Sequence, residues 1–316
     1  MTKIAFIFPG QGSQSVGMGG QLIESNKESK KYYEQADEVL GFSLSTIMLE
    51  GPADELTKTY NAQPALLTTS TMVAKKLVEA GISPDYTAGH SLGEYSALVS
   101  SNVLSFEDAV LLVHKRGLFM NEAVPAGEGA MAAILGLDQD ALNEVTKKVS
   151  EAGNTVQVAN LNCPGQIVIS GTAAGVEEAS AKAKEAGAKR AIPLVVSGPF
   201  HSELMRPAAE QLDAAISSIN LKEADIPVIS NVTASPVTEA ANIKSLLVEQ
   251  LYSPVRWEES VKKMIDLGVT VFIECGPGKV LSGLVKKIDR SVSTYCVYDE
   301  ESLQRVIDLL GEVKNG

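Results

Sequence analysis

The sequence predicts an α/β protein in which a large core, built on a mostly parallel sheet, is interrupted by a small second sheet. Short apolar runs of extended type alternate with amphipathic helical runs over most of the chain, which is the order of a parallel α/β sheet. A glycine-flanked serine joins one of these runs to a helix. Between residues 127 and 196 the alternation changes to that of a smaller unit with adjacent strands.

Length, composition and charge limit the kinds of partner and the cellular location that the protein can have. The 316 residues, 45% of them hydrophobic, are enough for a large core and a smaller one. The net charge of −12 argues against a nucleic-acid partner, which needs a basic face, and no apolar run is long enough to span a membrane. The absence of a signal-peptide pattern and the odd number of cysteines predict a cytoplasmic protein. With three histidines and no Cys-x-x-Cys, we expect no metal site.

The large core is expected in two pieces, residues 1–126 and 197–316. Its predicted strands are the apolar runs at residues 4–8, 86–88, 228–230 and 269–274. The helical patterns between them include one that follows Ser91, one that begins near Phe106 and one over residues 203–219.

The small unit, residues 127–196, is predicted to be an insertion between these two pieces. Its strands and helices are expected at residues 130–135, 139–152, 156–161, 166–170, 174–186 and 189–194. This βαββαβ order is the ferredoxin-like pattern, and the proline and glycine at residues 162–165 favour a turn between its middle strands. Residues 124–127 and 197–199 are the predicted connections to the large core.

The serine motif is Gly89-His90-Ser91-Leu92-Gly93. Between a strand and a helix this pattern is a nucleophile elbow, which predicts an α/β-hydrolase-like core, and a Cβ at either glycine would clash. The turn presents Ser91 at a helix N-terminus, whose free N–H groups and dipole favour developing negative charge. A serine in an ordinary helix N-cap is the alternative.

A serine nucleophile needs a base, and the chain offers three histidines. His90 is adjacent to the serine, so its side chain points elsewhere in the turn. His114 lies in the middle of a helix and is better explained as a structural residue. His201 lies in a loop on the return from the small unit, where a rigid scaffold concentrates catalytic residues, and we predict that it is the base.

Helix register predicts an arginine beside Ser91. The helix that follows Ser91 runs about ten residues, roughly 15 Å, and Ser105 then begins an antiparallel helix with a capping-box pattern. The return brings Arg116 level with the serine and Met120 one turn further on the same face. An arginine in an apolar run is costly to bury unless it is paired, and it can bind a carboxylate through two hydrogen bonds. A solvated surface pair with Lys115 is the alternative.

A glycine-rich turn follows the first predicted strand. Gly10 and Gly12 could open a dinucleotide-binding loop, but Ser15 stands where the third glycine should be, so this match is weak. A close backbone approach to the site explains the glycines better. There the N–H of Gln11 would pair with that of Leu92 as an oxyanion hole.

Seven short segments follow one another in the order of a known family, from residue 4 to about residue 285. They are Phe8-Pro9-Gly10-Gln11-Gly12-Ser13-Gln14, Gln63-Pro64-Ala65, Gly89-His90-Ser91-Leu92-Gly93-Glu94-Tyr95, Arg116-Gly117, Phe200-His201-Ser202, Ser253-Pro254-Val255-Arg256-Trp257 and Glu274-Cys275-Gly276-Pro277-Gly278. As an ordered set they resemble the malonyl-CoA:acyl carrier protein transacylases.

The resemblance implies an acyltransferase of fatty-acid synthesis that works by a ping-pong mechanism. Ser91, activated by His201, would take the malonyl group from malonyl-CoA as an ester, and the phosphopantetheine thiol of acyl carrier protein would collect it. The backbone N–H groups of Gln11 and Leu92 would form the oxyanion hole, and Arg116 would bind the malonyl carboxylate.

The resemblance also implies supporting residues. Gln63 would line the pocket, and the backbone carbonyl of Gln250 would orient the histidine, with Asn231 nearby. Phe200 is typical of malonyl-selective members, and ordinary packing is its alternative. No cofactor is expected, because coenzyme A belongs to a substrate and phosphopantetheine to the partner protein. We expect a monomer.

Two other functions and one other pathway stay open on the sequence. A serine hydrolase would use the same elbow, and a scaffold that binds carrier protein would need no chemistry. The carrier could serve polyketide synthesis. Because this chain and the carrier are both acidic, docking needs a local basic patch. Its candidates are Lys182, Lys184, Lys189, Arg190, Lys279, Lys286, Lys287 and Arg290.

Overall fold

The computed structural model describes residues 2–315 and contains ten strands in two sheets. The strands are β1 Lys3–Phe8, β2 Tyr86–Gly89, β3 Gly129–Leu135, β4 Val156–Cys163, β5 Gln166–Thr172, β6 Arg190–Pro193, β7 Val228–Ile229, β8 Pro236–Val237, β9 Val269–Cys275 and β10 Ser293–Val297. The first helices are α1 Gly20–Ser25, α2 Lys27–Leu40, α3 Leu44–Glu50, α4 Ala53–Thr57, α5 Thr59–Glu79, α6 Leu92–Ser100 and α7 Phe106–Glu122. The others are α8 Gln139–Glu151, α9 Ala173–Glu185, α10 Arg206–Ile216, α11 Ala240–Gln250, α12 Trp257–Asp266, α13 Val280–Ile288 and α14 Glu300–Asn315.

The large sheet has the strand order β10-β9-β1-β2-β7-β8, and only the β7–β8 pair is antiparallel. Every residue of β1 after Lys3 is buried, as expected for a parallel strand that is covered on both faces. In the parallel register Phe8 is paired with Gly89. The turns that follow β1 and β2 therefore meet at one edge of the sheet.

The small sheet has the order β4-β5-β3-β6 and is antiparallel throughout. Its own core, which includes Ile134, Leu142, Ile169 and Ala179, lies between the sheet and helices α8 and α9. Alternating residues on the other face, such as Val168, join the large core instead. The two sheets confirm the predicted fold class, whereas the exact limits of the two parts stay a prediction.

Several element boundaries differ from the sequence expectation. The helix expected over residues 203–219 is a 3₁₀ turn, Glu203–Met205, followed by α10. Pro207 lies in the first turn of α10, where a missing N–H costs nothing because that turn has no intrahelical acceptor for it. The strand expected over residues 189–194 is shorter, and Pro193 ends it at the sheet edge.

The small sheet is tied to the large part by backbone hydrogen bonds near the edge where β1 and β2 end. Val255 donates its N–H to the Ala159 carbonyl at 2.8 Å and accepts the N–H of Leu161 at 2.9 Å. This contact holds β4 beside the segment that leads into α12. Within residues 2–315, no helix combines the length and the apolar character that crossing a membrane requires.

Candidate active site

The serine turn has the geometry that the glycine pattern predicts. β2 ends at Gly89 and α6 begins at Leu92, and Ser91 between them has φ 51° and ψ −106°. A Cβ at Gly89 would lie 1.9 Å from the carbonyl carbon of Gly93, and a Cβ at Gly93 would lie 2.1 Å from the Phe8 oxygen. Both positions need glycine because the turn packs against itself and against β1. A positive φ at a serine is uncommon and is typical of functional sites.

His201 reaches Ser91 from the loop that follows the small sheet. Its Nε2 lies 2.8 Å from Ser91 Oγ, and its Nδ1 lies 2.8 Å from the carbonyl oxygen of Gln250. Gln250 is the last residue of α11, where carbonyl groups have no intrahelical donor. Because a carbonyl can only accept, the ring proton must be on Nδ1. The Nε2 lone pair therefore faces the serine hydroxyl.

The protonation state of His201 suits a general base. Burial, together with the nearby positive charge of Arg116, lowers the pKa of His201 from 6.5 to about 3. The ring is therefore neutral at neutral pH and can accept the proton of Ser91.

Arg116 lies beside the serine, as the helix register predicts. Its Nη2 donates to Ser91 Oγ at 3.1 Å and to Gln250 Oε1 at 2.8 Å, and its Nη1 donates to Gln63 Oε1 at 2.8 Å. The side chain is fully buried, and Nε has no partner within the described residues. The arginine ion pairs of the described chain do not include Arg116. A buried cation with only neutral acceptors is suited to binding an anion.

These three groups line one cavity of about 200 Å³. Met120 and Phe200 also line it, as do Gln11 and Leu92. Leu92 is the first residue of α6, so its N–H has no intrahelical acceptor. No acceptor for the Gln11 N–H is found among residues 2–315 either. Two backbone donors are thus available at the cavity for an oxyanion.

Two predicted contacts differ in the structure. Among the described residues Asn231 makes no hydrogen bond to the histidine: its Oδ1 accepts the N–H of Ser91 at 2.7 Å, and its Nδ2 donates to the Gly89 carbonyl at 2.7 Å. The reason is that Asn231 follows β7, the neighbour of β2, and therefore meets the turn that β2 leads into. Gln63 does not line the cavity. It is fully buried behind that surface and contacts Arg116 and Met120.

Neither of the other two histidines contacts the serine hydroxyl. His90 Nε2 lies 2.8 Å from Asn162 Oδ1, which joins the serine turn to the end of β4. His114 Nδ1 lies 2.7 Å from the carbonyl oxygen of Tyr60. Both positions agree with the interpretation that His201 is the base candidate.

Sequence reasoning missed two polar residues of the site. Glu94 is buried in α6, and its Oε2 accepts from Gln250 Nε2 at 2.7 Å. Burial raises the pKa of Glu94 to about 7, against the opposing effects of its hydrogen bonds and of Arg116. Gln157 on β4 accepts the N–H of Glu203 at 2.9 Å and so holds the loop after His201. A carboxyl group directly after the serine motif was an available signal for Glu94, whereas Gln157 resembles any solvent-facing strand residue.

Among the side chains of residues 2–310, no group of three or more histidine, cysteine, aspartate and glutamate residues could hold a metal ion. The polar groups at the cavity include a hydroxyl, an imidazole, a guanidinium and backbone N–H donors; Gln11, Gln14, Thr57, His90 and Asn160 also line it. This set is suited to acyl transfer to and from a serine.

Known proteins resemble the chain over almost its whole length. The family model of the acyl transferase domain matches residues 5–306. The malonyl CoA-acyl carrier protein transacylase of Bacillus subtilis (strain 168) is 65% identical over 312 residues, which is 99% of this chain and 98% of that protein.

Two solved structures have closely similar folds. The acyl carrier protein S-malonyltransferase of Vibrio cholerae O1 has a TM-score of 0.94 and 45% identity, and the match covers 96% of this chain and all of that one (100%). A malonyl-transacylase solved in complex with a type II PKS acyl-carrier protein has a TM-score of 0.94 and 43% identity, and covers 97% of this chain and 99% of that chain. The chain therefore belongs to the acyl transferase domain family, in the group of the malonyl CoA-acyl carrier protein transacylases.

Proposed function

We propose that this chain transfers the malonyl group of malonyl-CoA to the phosphopantetheine thiol of an acyl carrier protein through a malonyl ester on Ser91. One observation carries the proposal: Ser91 Oγ lies within hydrogen-bond distance of both a neutral imidazole, His201, and a buried guanidinium without an ionic partner, Arg116. The first group activates a nucleophile, and the second selects a donor that carries a free carboxylate. The names of the relatives support the same activity.

The first half-reaction loads the serine. His201 Nε2 takes the hydroxyl proton while Ser91 Oγ bonds to the thioester carbonyl carbon of malonyl-CoA. The N–H groups of Gln11 and Leu92 stabilise the oxyanion of the tetrahedral intermediate. The C–S bond then breaks, and the imidazolium returns its proton to the sulfur, so coenzyme A leaves as a thiol and the malonyl ester remains.

The second half-reaction reverses these steps with a different thiol. The phosphopantetheine thiol of the carrier gives its proton to His201 and attacks the ester carbonyl. The same donors stabilise the second oxyanion, and Ser91 Oγ leaves with the proton from the imidazolium. The Gln250 carbonyl stabilises each imidazolium, because it accepts the Nδ1–H bond at the C-terminal end of a helix dipole.

Selectivity for malonyl rests on Arg116 and Phe200. The guanidinium of Arg116 would exchange part of its hydrogen bonds to neutral acceptors for hydrogen bonds to the malonyl carboxylate. Such charge-assisted hydrogen bonds are shorter and stronger than those to neutral groups. Phe200, which lines the cavity, would crowd an additional methyl group at the malonyl α-carbon. One methyl group is worth about 1–3 kcal/mol in a pocket, so Phe200→Ser should raise methylmalonyl transfer relative to malonyl transfer.

The same resemblance supports a proposal for the second substrate, its pathway and the cellular location. One relative was solved in complex with an acyl-carrier protein, which supports a carrier as the second substrate. We propose that this carrier serves fatty-acid synthesis. We also propose a cytoplasmic location, because the three cysteines of the described chain are unpaired. The monomeric state and the lack of a cofactor stay predictions, which sedimentation and an absorption spectrum of the purified chain would test.

The decisive experiment is mass spectrometry of the intact chain after mixing with malonyl-CoA, followed by addition of a carrier protein. We expect one malonyl group on Ser91 that moves to the carrier thiol, and no adduct on Ser91→Ala. Release of free malonate in place of transfer would identify a serine hydrolase. The absence of any adduct would favour a binding scaffold.

A further inference from the structure

The acyl-transfer steps leave one buried carboxyl group near the serine without a role. Glu94 lies three residues after Ser91, the spacing of a capping box, in which such a glutamate accepts the N–H of the N-cap residue. The structure excludes this explanation. The Ser91 N–H is bonded to Asn231 Oδ1, and the Ser91 side chain makes no capping bond.

The carboxyl group of Glu94 instead contacts residues from two other elements. Its Oε2 accepts from Gln250 Nε2 at 2.7 Å and from the backbone N–H of Asn231 at 3.2 Å. Gln250 Nε2 also donates to the Ser91 carbonyl at 3.1 Å. A third acceptor, Asn231 Oδ1, lies 3.5 Å from the same nitrogen. The nitrogen end of this amide therefore faces three acceptors, of which Glu94 is the closest.

The other end of the same amide contacts the arginine. Gln250 Oε1 accepts from Arg116 Nη2 at 2.8 Å, so the amide bridges a carboxyl group and a guanidinium. The reversed amide would set its oxygen against Glu94 and its NH₂ group against Arg116, which pairs acceptor with acceptor and donor with donor. As the closest acceptor of the NH₂ group, Glu94 thus favours the orientation in which Gln250 presents its oxygen to the arginine.

We propose that Glu94 is a positioning residue for carboxylate-bearing acyl donors: it fixes the Gln250 amide, which in turn holds Arg116 at the serine. This inference rests on the function proposed above. Without the acceptor at position 94 the NH₂ group of Gln250 loses its closest partner and keeps only the longer contacts to the Ser91 carbonyl and Asn231 Oδ1. The amide is then held less firmly, and its hydrogen bond to Arg116 Nη2 is weakened. Donors that carry a carboxylate then lose affinity in the transition state, whereas acetyl donors, which do not use the guanidinium, are little affected.

The acceptor matters here more than the charge. A carboxyl group protonated on one oxygen still accepts on the other, and the amide oxygen of glutamine accepts in the same way. Glu94→Gln should therefore preserve the arrangement, whereas Glu94→Leu, of similar volume, should lose it.

The test measures the rate at which Ser91 is acylated by malonyl-CoA and by acetyl-CoA, followed by mass spectrometry of the intact chain. We expect Glu94→Leu to lower the malonyl-to-acetyl ratio about tenfold, the factor for one lost hydrogen bond, and Glu94→Gln to stay within about threefold of the unaltered chain. An equal loss with both donors would overturn the proposal. So would a Glu94→Gln chain as impaired as Glu94→Leu.

A second variant covers the case in which Glu94→Leu does not fold. Gln250→Leu removes the bridging amide but keeps the main-chain carbonyl that contacts His201, and we expect the same loss of malonyl selectivity. An unchanged ratio in Gln250→Leu would also overturn the proposal. The unaltered chain is the control for the function itself: if it takes no malonyl group, the proposed function fails before Glu94 is tested.

Discussion

The small sheet and the edge of the large sheet bury different kinds of side chain. Between α8, α9 and the small sheet the core is apolar, and none of the described charged residues between 127 and 196 is buried. At the carboxyl edge of β1 and β2, Glu94, Arg116 and His201 are all buried within one hydrogen-bonded cluster.

Backbone strain follows the same division. Among the described residues other than glycine, a positive φ occurs at Ser91, Asn102, His201 and Ala234, all outside the small unit. Two of these four positions, Ser91 and His201, are the nucleophile and its base, so part of the backbone strain lies at the catalytic groups. Substitutions in the two regions should therefore separate stability from activity.

The largest effect on activity should come from a substitution in the hydrogen-bonded cluster at the edge of the large sheet. His201→Ala removes the base, and kcat/KM for malonyl transfer should fall roughly a thousandfold, while the chain stays folded. Steady-state kinetics with a circular dichroism check would measure this. His114→Ala is the matched control, and it should keep kcat because that ring bonds to the Tyr60 carbonyl and packs against the rings of Phe42 and Tyr60, not against the Ser91 hydroxyl. A fall of the same size in both variants would remove the distinction between the two histidines.

The apolar core of the small sheet should show the opposite pattern. Ile169 is fully buried there, and Ile169→Ala should lower the free energy of unfolding by about 2–5 kcal/mol. The folded fraction should retain its kcat. Urea unfolding followed by fluorescence measures the first quantity, and the exposed Lys184→Ala on α9 is the control. A large loss of kcat in folded Ile169→Ala would show that the small core also shapes the chemistry.

Arg116→Ala tests whether the buried guanidinium selects the donor. Malonyl transfer should fall about ten- to hundredfold relative to acetyl transfer, the range for hydrogen bonds to a charged group. The measurement is the ratio of the two acylation rates of Ser91, with Lys115→Ala as the neighbouring control. Equal losses for both donors would make Arg116 a structural residue.

The pH dependence should show the smallest effect. Because the neutral ring of His201 is the active form and its pKa is about 3, kcat/KM should not fall as the pH passes through 6.5. The same lowered pKa contributes stability that is present above about pH 6.5 and is lost as the pH falls towards 3. Arg116→Ala should move the acidic limb to higher pH, because it removes a neighbouring cation. An acidic limb centred near 6.5 in the unaltered chain would contradict this assignment.

Local patterns predicted most of this molecule. Alternating apolar runs located the central strands, and the glycines at positions 89 and 93 predicted a turn that has no room for a Cβ. The position of Arg116 followed from helix register, since two packed helices have a fixed rise per residue. Element ends were less accurate, as at Pro207, because capping and 3₁₀ turns depend on neighbouring segments.

The partners of the buried polar groups were decided only by the tertiary structure. Asn231, Gln250 and Glu94 lie far apart in the chain, and no periodicity says which of them faces Ser91 and which faces His201. Hydrogen bonds between distant segments depend on where β7 and α11 end relative to β2. The sequence determined the turn, the register and the chemical groups because these depend on neighbours along the chain, whereas their pairing depends on neighbours in space.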